Sequence, residues 1–143
     1  MVTSLEDEVE RILKELVASH QEYNYHRHHR RKGKSGYLWE TDFILMKQDS
    51  LHTVIECKDI GGRKWEKEKK YPTATFETHM CRAYTRLNDL HLEYPKARLH
   101  VIVREFLESP QQHDKYARLF APIGVELMCL EMVCEDPEHY LLE

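Results

Sequence analysis

Two short apolar segments separated by a polar linker constrain the fold more than any other feature of this chain. The segments are residues 37–46 and 51–57, and residues 47–50 join them. Apolar runs of this length around a turn-forming linker predict a β-hairpin. Each predicted strand carries a carboxylate, Asp42 in the first and Glu56 in the second. Acidic side chains are rarely buried in strands unless they are paired, so both positions are candidates for a functional role.

The period of two in a β-strand predicts that the charged residues of the hairpin meet. Successive side chains point to opposite faces of a sheet. Asp42 therefore shares a face with Ile44, while Glu56 shares one with Val54 and Lys58. Carboxylates are hard oxygen ligands suited to Mg²⁺. A lysine beside them can offset developing charge or help to deprotonate a water, so the hairpin is a candidate metal-dependent site.

The spacing of these residues resembles a known pattern. Asp42 followed, after a gap, by Glu56-Cys57-Lys58 is similar to the D…ExK motif of the PD-(D/E)XK nuclease superfamily. That superfamily includes type II restriction enzymes, Mrr-type restriction endonucleases and archaeal Holliday-junction resolvases. Thr41 stands where a proline often precedes the aspartate. An exposed hairpin, with a weak surface ion pair between Glu56 and Lys58, is the alternative explanation of the same residues.

The resemblance implies a Mg²⁺- or Mn²⁺-dependent deoxyribonuclease, an endonuclease that hydrolyses the phosphodiester bonds of DNA. It implies that Asp42, Glu56 and the backbone carbonyl of Cys57 bind the metal, and that Lys58 orients the attacking water or stabilises the transition state. The LExxVxxIL pattern near the start of the chain resembles the first helix of Mrr-like nucleases, in which a glutamate points toward the metal. Glu6 occupies that place, with helix capping as the alternative role.

The rest of the chain alternates between predicted helices and strands. Apolar residues at three- and four-residue steps, together with a Ser-Pro start for the third, predict helices over residues 4–19, 72–93 and 109–121. Strands besides the hairpin are expected over residues 21–30, 97–103 and 125–133. Thr3 or Ser4 is the expected cap of the first helix. Residues 31–36 are expected to form a flexible basic loop.

This order predicts one α/β domain over residues 1–143. An early antiparallel hairpin followed by strands that alternate with helices favours a mixed central β-sheet flanked by helices. The order αβββαβ, then αβ, resembles the restriction-endonuclease-like core. Residues 135–143 are expected to form a loosely held acidic tail, although Tyr140, Leu141 and Leu142 supply apolar groups with which it could dock.

Basic residues are concentrated in two regions of a chain whose net charge is −4. That net charge argues against indiscriminate affinity for nucleic acids, but clustered cations predict a phosphate-binding face. The residues expected to contact DNA phosphates are Arg27, Arg30, Arg31, Lys32, Lys34, Arg63, Lys64 and Lys67. Such contacts position DNA and do not read its sequence. A solvated charged loop is the alternative for either cluster.

Several further polar residues lie near the predicted site without a role that can be chosen from the sequence. His26, His28 and His29 are candidates for phosphate contact or acid–base chemistry, with a polar strand edge as the alternative. His79, Arg82 and Arg86 lie on or beside the polar flank of the second long helix, so one of them is a candidate to face the substrate.

Partners and location follow from what the sequence lacks. There is no run of about 18 apolar residues and no signal-peptide pattern, so we expect a cytoplasmic protein without a membrane partner. The four cysteines form no CxxC pair and are expected to be reduced. No separate DNA-reading domain is evident, which predicts a homodimer or a partner subunit. Two alternatives to the endonuclease remain: a junction- or flap-specific homodimeric nuclease, and a catalytically silent nucleic-acid-binding protein on the same fold.

Overall fold

A computed structural model describes residues 3–59, 73–106 and 110–143 of the chain. The helices in these ranges are α1 (Leu5–Ser19), α2 (Thr73–Glu93), α3 (Pro110–Phe120), α4 (Leu130–Glu135) and α5 (Pro137–Leu141). The strands are β1 (Tyr23–Lys32), β2 (Leu38–Lys47), β3 (Ser50–Lys58), β4 (Arg98–Val103) and β5 (Val125–Cys129). A 3₁₀ turn, Ala121–Ile123, follows α3.

The strands form one mixed sheet in the order β1-β2-β3-β4-β5. β1, β2 and β3 pair in antiparallel fashion, whereas β4 and β5 add in parallel. Short turns suffice for the antiparallel pairs, while each parallel addition requires a crossover, which α2 and α3 supply. The α/β fold with a mixed sheet flanked by helices is therefore confirmed.

The helices cover both faces of the sheet and make two apolar layers. Leu5, Val9 and Leu13 of α1 pack against one face of the sheet, where Phe43 and Ile55 are buried. The opposite face carries Ile44, Val54 and Val101 and packs against α2 and α3. Each layer combines residues of the sheet with the single apolar stripe that each amphipathic helix buries. Among the described residues, no helix is long and apolar enough to cross a membrane.

Side-chain caps mark where two of the helices, α1 and α5, begin. Ser4 is the cap of α1, since its Oγ accepts a hydrogen bond from the Asp7 N–H at 3.2 Å. This satisfies one of the amide groups that the first helical turn leaves unpaired. At the other end of the chain Asp136 caps α5 and accepts from the His139 N–H at 3.3 Å, with Pro137 at the first turn.

The C-terminal region differs from its prediction. β5 ends at Cys129, where its pairing with Val103 at the end of β4 also ends, and the rest of the predicted strand is helix α4. Val133 and Leu141 are both 0% exposed and pack in the layer against α1. Leu141 of the acidic tail therefore docks on this layer, with Tyr140 and Leu142 packed beside it, as the alternative for the tail allowed.

The basic loop after β1 also differs from expectation. β1 extends to Lys32, and the loop that follows is fastened to α2 by Asp89. The Asp89 carboxylate accepts hydrogen bonds from the Ser35 N–H at 2.9 Å, the Ser35 Oγ at 2.6 Å and the Trp39 Nε1 at 2.8 Å. A loop rich in glycine and lysine is thus held in place by one long-range acceptor.

A buried histidine in β4 makes stability depend on pH. His100 is 1% exposed, and neither ring nitrogen has a hydrogen-bond partner within the described part of the chain. Burial, with smaller effects of Arg98 and His52, lowers the pKa of His100 to about 3. Because the unfolded chain binds this proton below pH 6.5 and the folded chain does not, the free energy of unfolding should fall as pH decreases from 6.5.

We expect this effect to reach roughly 3 kcal/mol at pH 4. His100→Leu removes the proton-binding group. Between pH 7 and pH 4 the free energy of unfolding of this variant should therefore fall by roughly 3 kcal/mol less than that of the wild-type protein. Urea unfolding followed by circular dichroism measures the difference. His26→Leu, at an exposed position of β1, is the matched control and should keep the wild-type pH dependence. Equal pH dependence in wild type and His100→Leu would contradict this origin of acid sensitivity.

Candidate functional site

The candidate site lies where β2 and β3 separate. Phe43 and Ile55 form the last pair of the β2–β3 ladder. Beyond it β2 continues beside β1, and β3 continues beside β4 as far as Lys58. Asp42 and Glu56 are the first residues past the last pair, one on each strand. We call the opening between the two strands the fork.

Asp42 bridges the fork. Its Oδ2 accepts a hydrogen bond from the Cys57 N–H of β3 at 2.7 Å, in place of the backbone pairing that has ended. Burial raises the pKa of Asp42, and the neighbouring Glu6 carboxyl raises it further. The Cys57 amide and the Lys58 charge act in the opposite direction. A carboxylate held in this way keeps its second oxygen free of the backbone contact.

Glu56 is buried on the second arm of the fork. It is 0% exposed, and its Oε2 accepts from Arg86 Nη1 of α2 at 2.8 Å. Its Oε1 is buried with no hydrogen-bond partner among the residues that the structure describes. Burial, followed by the charge of Asp42, raises the pKa of Glu56 to about 8, while Arg86 and Lys58 oppose the shift. An unpaired buried carboxylate oxygen is costly, and a cation or an ordered water would satisfy it.

Glu6 and His28 approach Asp42 from α1 and β1. The ligand atoms of Glu6, His28 and Asp42 all lie within 4.8 Å of one another. A capping box pairs the cap residue with the acid three positions later. Ser4 is the cap, so that acid is Asp7, and Glu6 would have this role only if Thr3 were the cap. Glu6 instead bonds to Arg27 at 3.0 Å and lies beside Asp42.

The predicted catalytic residues thus lie around the fork. Lys58 is half-buried at the end of β3, and its charge lowers the pKa values of both Asp42 and Glu56. Cys57 contributes its backbone amide, while its thiol is buried in the layer beneath α1. Glu6 joins the three hairpin residues from outside the hairpin, which only the packing of α1 against the sheet allows.

The predicted DNA-contacting residues divide into separate groups. Arg27 bonds to Glu6, Asp7 and Glu10 at 2.9 to 3.0 Å, so its guanidinium is already engaged by carboxylates. Arg31 lies 5.8 Å from the centre of the Tyr94 ring and 3.4 Å from Met46 Sδ. The exposed cations are Arg30, Lys32 and Lys34. The remaining members, Arg63, Lys64 and Lys67, fall outside the described residues.

Arg86 is the site residue that sequence reasoning did not single out. It was one of three polar residues on α2, and helical periodicity alone did not distinguish it from His79 or Arg82. The useful signal is its spacing, three residues after the buried Ala83 and directly before the buried Leu87. A cation in that position flanks the apolar stripe and can reach a buried acid on the sheet.

An open groove runs from Arg86 along α2. It is lined by Trp39, Glu77, Thr78, Cys81, Arg82, Thr85 and Arg86. The Arg86 guanidinium lies 5.7 Å from the centre of the Trp39 ring, a cation–π distance. Tyr37, which is 62% exposed, lies beside Trp39 with ring centres 4.5 Å apart. Aromatic and cationic groups therefore meet next to Glu56.

Comparisons with known proteins do not assign the chain to a family. No family model and no curated protein matches the chain. The chain is similar to a crystal structure of a protein of unknown function, with 12% identity and a TM-score of 0.49. The alignment covers 85% of this chain and 57% of the other, so this chain spans little more than half the length of that protein.

Proposed function

We propose that this protein is a divalent-metal-dependent deoxyribonuclease of the PD-(D/E)XK type that cleaves phosphodiester bonds within DNA. The observation that carries the proposal is the grouping of Glu6, Asp42, Glu56 and Lys58 around the fork between β2 and β3. These residues come from α1, β2 and β3, and their charges act on one another. Carboxylates from two neighbouring strands with a lysine beside them form a set suited to phosphoryl chemistry.

The donor set fits a divalent ion. Asp42 and Glu56 are the proposed ligands, with the Cys57 carbonyl as a third. The Oε1 of Glu56 supports this assignment, because it has no hydrogen-bond partner in the part of the chain that the structure describes. A bound Mg²⁺ or Mn²⁺ would polarise the scissile phosphate and lower the pKa of a coordinated water. Arg86 holds the other Glu56 oxygen and so fixes the orientation of that carboxylate. Lys58 orients the attacking water or donates to the phosphate oxygens as charge develops on them.

The proposed DNA contacts lie on two sides of the fork. Arg30, Lys32 and Lys34 supply exposed positive charge from β1 and its loop. The groove along α2 supplies Arg82 together with the aromatic pair of Tyr37 and Trp39. Cations would bind backbone phosphates and make affinity fall with salt, while the aromatic rings offer stacking surfaces for unpaired bases.

The buried Glu56 favours an enzyme over a silent binding protein. Burying a carboxylate costs free energy even when it is paired, and an apolar residue at position 56 would serve the core better. The Glu56 Oε1, which is buried without a hydrogen-bond partner among the described residues, adds to this cost. We therefore favour catalysis, and homodimeric cleavage of junctions or flaps remains a matter of substrate preference.

Incubation of the purified protein with DNA tests the proposal. Plasmid, single-stranded, flap and four-way-junction substrates should be incubated with Mg²⁺, Mn²⁺ or chelator, and products resolved on denaturing gels. We expect cleavage with either metal and none with chelator. Preference for the junction or flap would identify the structure-specific nuclease. Binding in a gel-shift assay without cleavage of any substrate would contradict the proposal and favour the silent binding protein.

A further inference from the structure

We infer that His28 is a nitrogen ligand of a second cation position, formed with Glu6 and Asp42, and that this position selects a first-row transition-metal dication over Mg²⁺. The inference rests on the proposed function only in sharing Asp42 with the proposed catalytic centre. It concerns the side of Asp42 that faces α1 and β1, whereas Glu56 lies across the fork on β3.

The three ligand atoms have the spacing of a coordination shell. His28 Nε2 and Glu6 Oε2 are 3.7 Å apart, which is too long for a hydrogen bond. Two ligand atoms that each lie about 2.1 to 2.2 Å from one ion are separated by roughly 3 to 4.4 Å, depending on the angle between them. All three atoms lie within 4.8 Å of one another, so small movements would bring them to a common ion.

The strand geometry brings His28 opposite Asp42. The β1–β2 ladder pairs Arg27 with Phe43 and His29 with Thr41, and the position between these pairs is that of His28 and Asp42. His28 has a φ of 54°, in the left-handed region that a residue with a side chain seldom adopts. β1 is therefore locally irregular at the residue whose ring meets the two carboxylates.

The side chains around this position are mostly acidic. Among the described residues, five carboxyl groups contact one another or share three cations. The acids are Glu6, Asp7, Glu10, Asp42 and Glu56, and the cations are Arg27, Lys58 and Arg86. This excess of carboxyl groups over cations favours the binding of a divalent ion.

Ligand chemistry decides which ion the position prefers. Mg²⁺ takes oxygen ligands and retains several waters, whereas imidazole nitrogen favours transition metals. One histidine and two carboxylates form a mixed nitrogen and oxygen set. Mn²⁺ accepts both kinds of ligand and is the practical probe, because its electron-spin signal reports both free ion and bound nitrogen.

Binding of Mn²⁺ to the metal-free protein tests the inference without reference to activity. Free Mn²⁺ is measured by electron paramagnetic resonance in wild type, His28→Gln and His26→Gln, with Mg²⁺ as competitor. His26 is an exposed histidine two residues away on the same strand and provides the matched control. We expect His28→Gln to weaken Mn²⁺ binding by about tenfold and to leave Mg²⁺ binding within about twofold. His26→Gln should bind both ions like wild type.

A spectroscopic readout tests imidazole ligation directly in the wild-type protein, and circular dichroism shows whether the His28→Gln protein used beside it is folded. Electron spin echo modulation of wild-type protein with one equivalent of Mn²⁺ should contain the nitrogen coupling of a directly bound imidazole, and His28→Gln should lack it. Absence of that coupling in wild type, or its persistence in His28→Gln, would overturn the inference.

The outcomes separate this inference from the proposed nuclease activity. Histidine-dependent Mn²⁺ binding without DNA cleavage would support the second position and overturn the proposed function. Cleavage together with metal binding that is indifferent to His28 would do the reverse. Failure of any divalent ion to bind at millimolar concentration would overturn both.

Discussion

Asp42→Asn should reduce metal-dependent DNA cleavage by at least about a thousandfold, a loss of roughly 4 kcal/mol in transition-state stabilisation. The amide removes the charge that the proposed ion requires, while its oxygen can still accept the Cys57 N–H. The fold should survive, because burial already disfavours the ionised form of Asp42. Single-turnover cleavage rates with saturating Mg²⁺ or Mn²⁺, together with thermal unfolding, measure the two effects separately.

Two companion variants sharpen this experiment. Glu40→Gln makes the same change of charge at an exposed position two residues earlier on β2 and should keep the wild-type rate within about twofold. Lys58→Met should lose cleavage to a similar extent as Asp42→Asn while still binding Mn²⁺, since the lysine is not a proposed ligand. An Asp42→Asn protein that retains more than about a tenth of the wild-type rate would contradict the assignment of the site.

Arg86→Met should destabilise the fold, and the loss should grow with pH. The substitution leaves Glu56 fully buried without its cation, and breaking one side of a buried pair costs about 3 to 5 kcal/mol when the remaining group is charged. Arg86 is 26% exposed, which places the expected cost near the lower end, about 3 kcal/mol at pH 9. At pH 6 the expected cost is about 1 kcal/mol, that of a lost hydrogen bond to a neutral carboxyl.

The sign follows from the raised pKa of Glu56. A carboxyl whose pKa is higher in the folded chain than in the unfolded one contributes stability that is full below pH 4.5 and is lost as pH rises. In wild type this loss ends near the folded pKa of about 8, because above that pH Glu56 is ionised in the folded chain too and is stabilised by the charge of Arg86. Without Arg86 the folded pKa is higher still, so the variant continues to lose stability above pH 8.

Urea unfolding of chelator-treated protein at pH 6 and pH 9 checks this result. Arg82→Met, an exposed arginine one turn earlier on α2, is the matched control and should change the free energy of unfolding by less than about 0.5 kcal/mol at either pH. Glu56→Gln combined with Arg86→Met should remove the pH-dependent part. A pH-independent loss in Arg86→Met would refute the buried pair as its cause.

Much of the fold could be predicted because its signals are local. The alternation of apolar residues in the hairpin, the helical steps of α1 and α2, and the Ser4 cap each involve residues only a few positions apart. The C-terminal part was harder to predict. An apolar run such as residues 125–133 suits a strand or a buried helix. The chain stays a strand as far as Cys129, where β4 ends and offers no further pairing, and it continues as a helix from Leu130.

The candidate site divides in the same way. The period of two predicts that Asp42, Glu56 and Lys58 meet on one side of the hairpin, and that prediction depends on strand geometry alone. The choice of Arg86 from three candidates on α2 depends on how that helix is rotated over the sheet. Arg27 forms ion pairs with three acids of α1, so its charge is already compensated before any phosphate binds. No property of residues 21–30 could predict these pairs, because the acids belong to another element.

The sequence by itself determined the α/β class, the hairpin and the three charged residues that it carries, because backbone periodicity converts spacing directly into direction. Tertiary structure alone decided that β2 and β3 part at Asp42, that Arg86 meets Glu56, and that Glu6 and His28 reach the same carboxylate. The physical reason is that a buried charge is stabilised by partners distant in sequence, and those partners are chosen only when helices and sheet pack together.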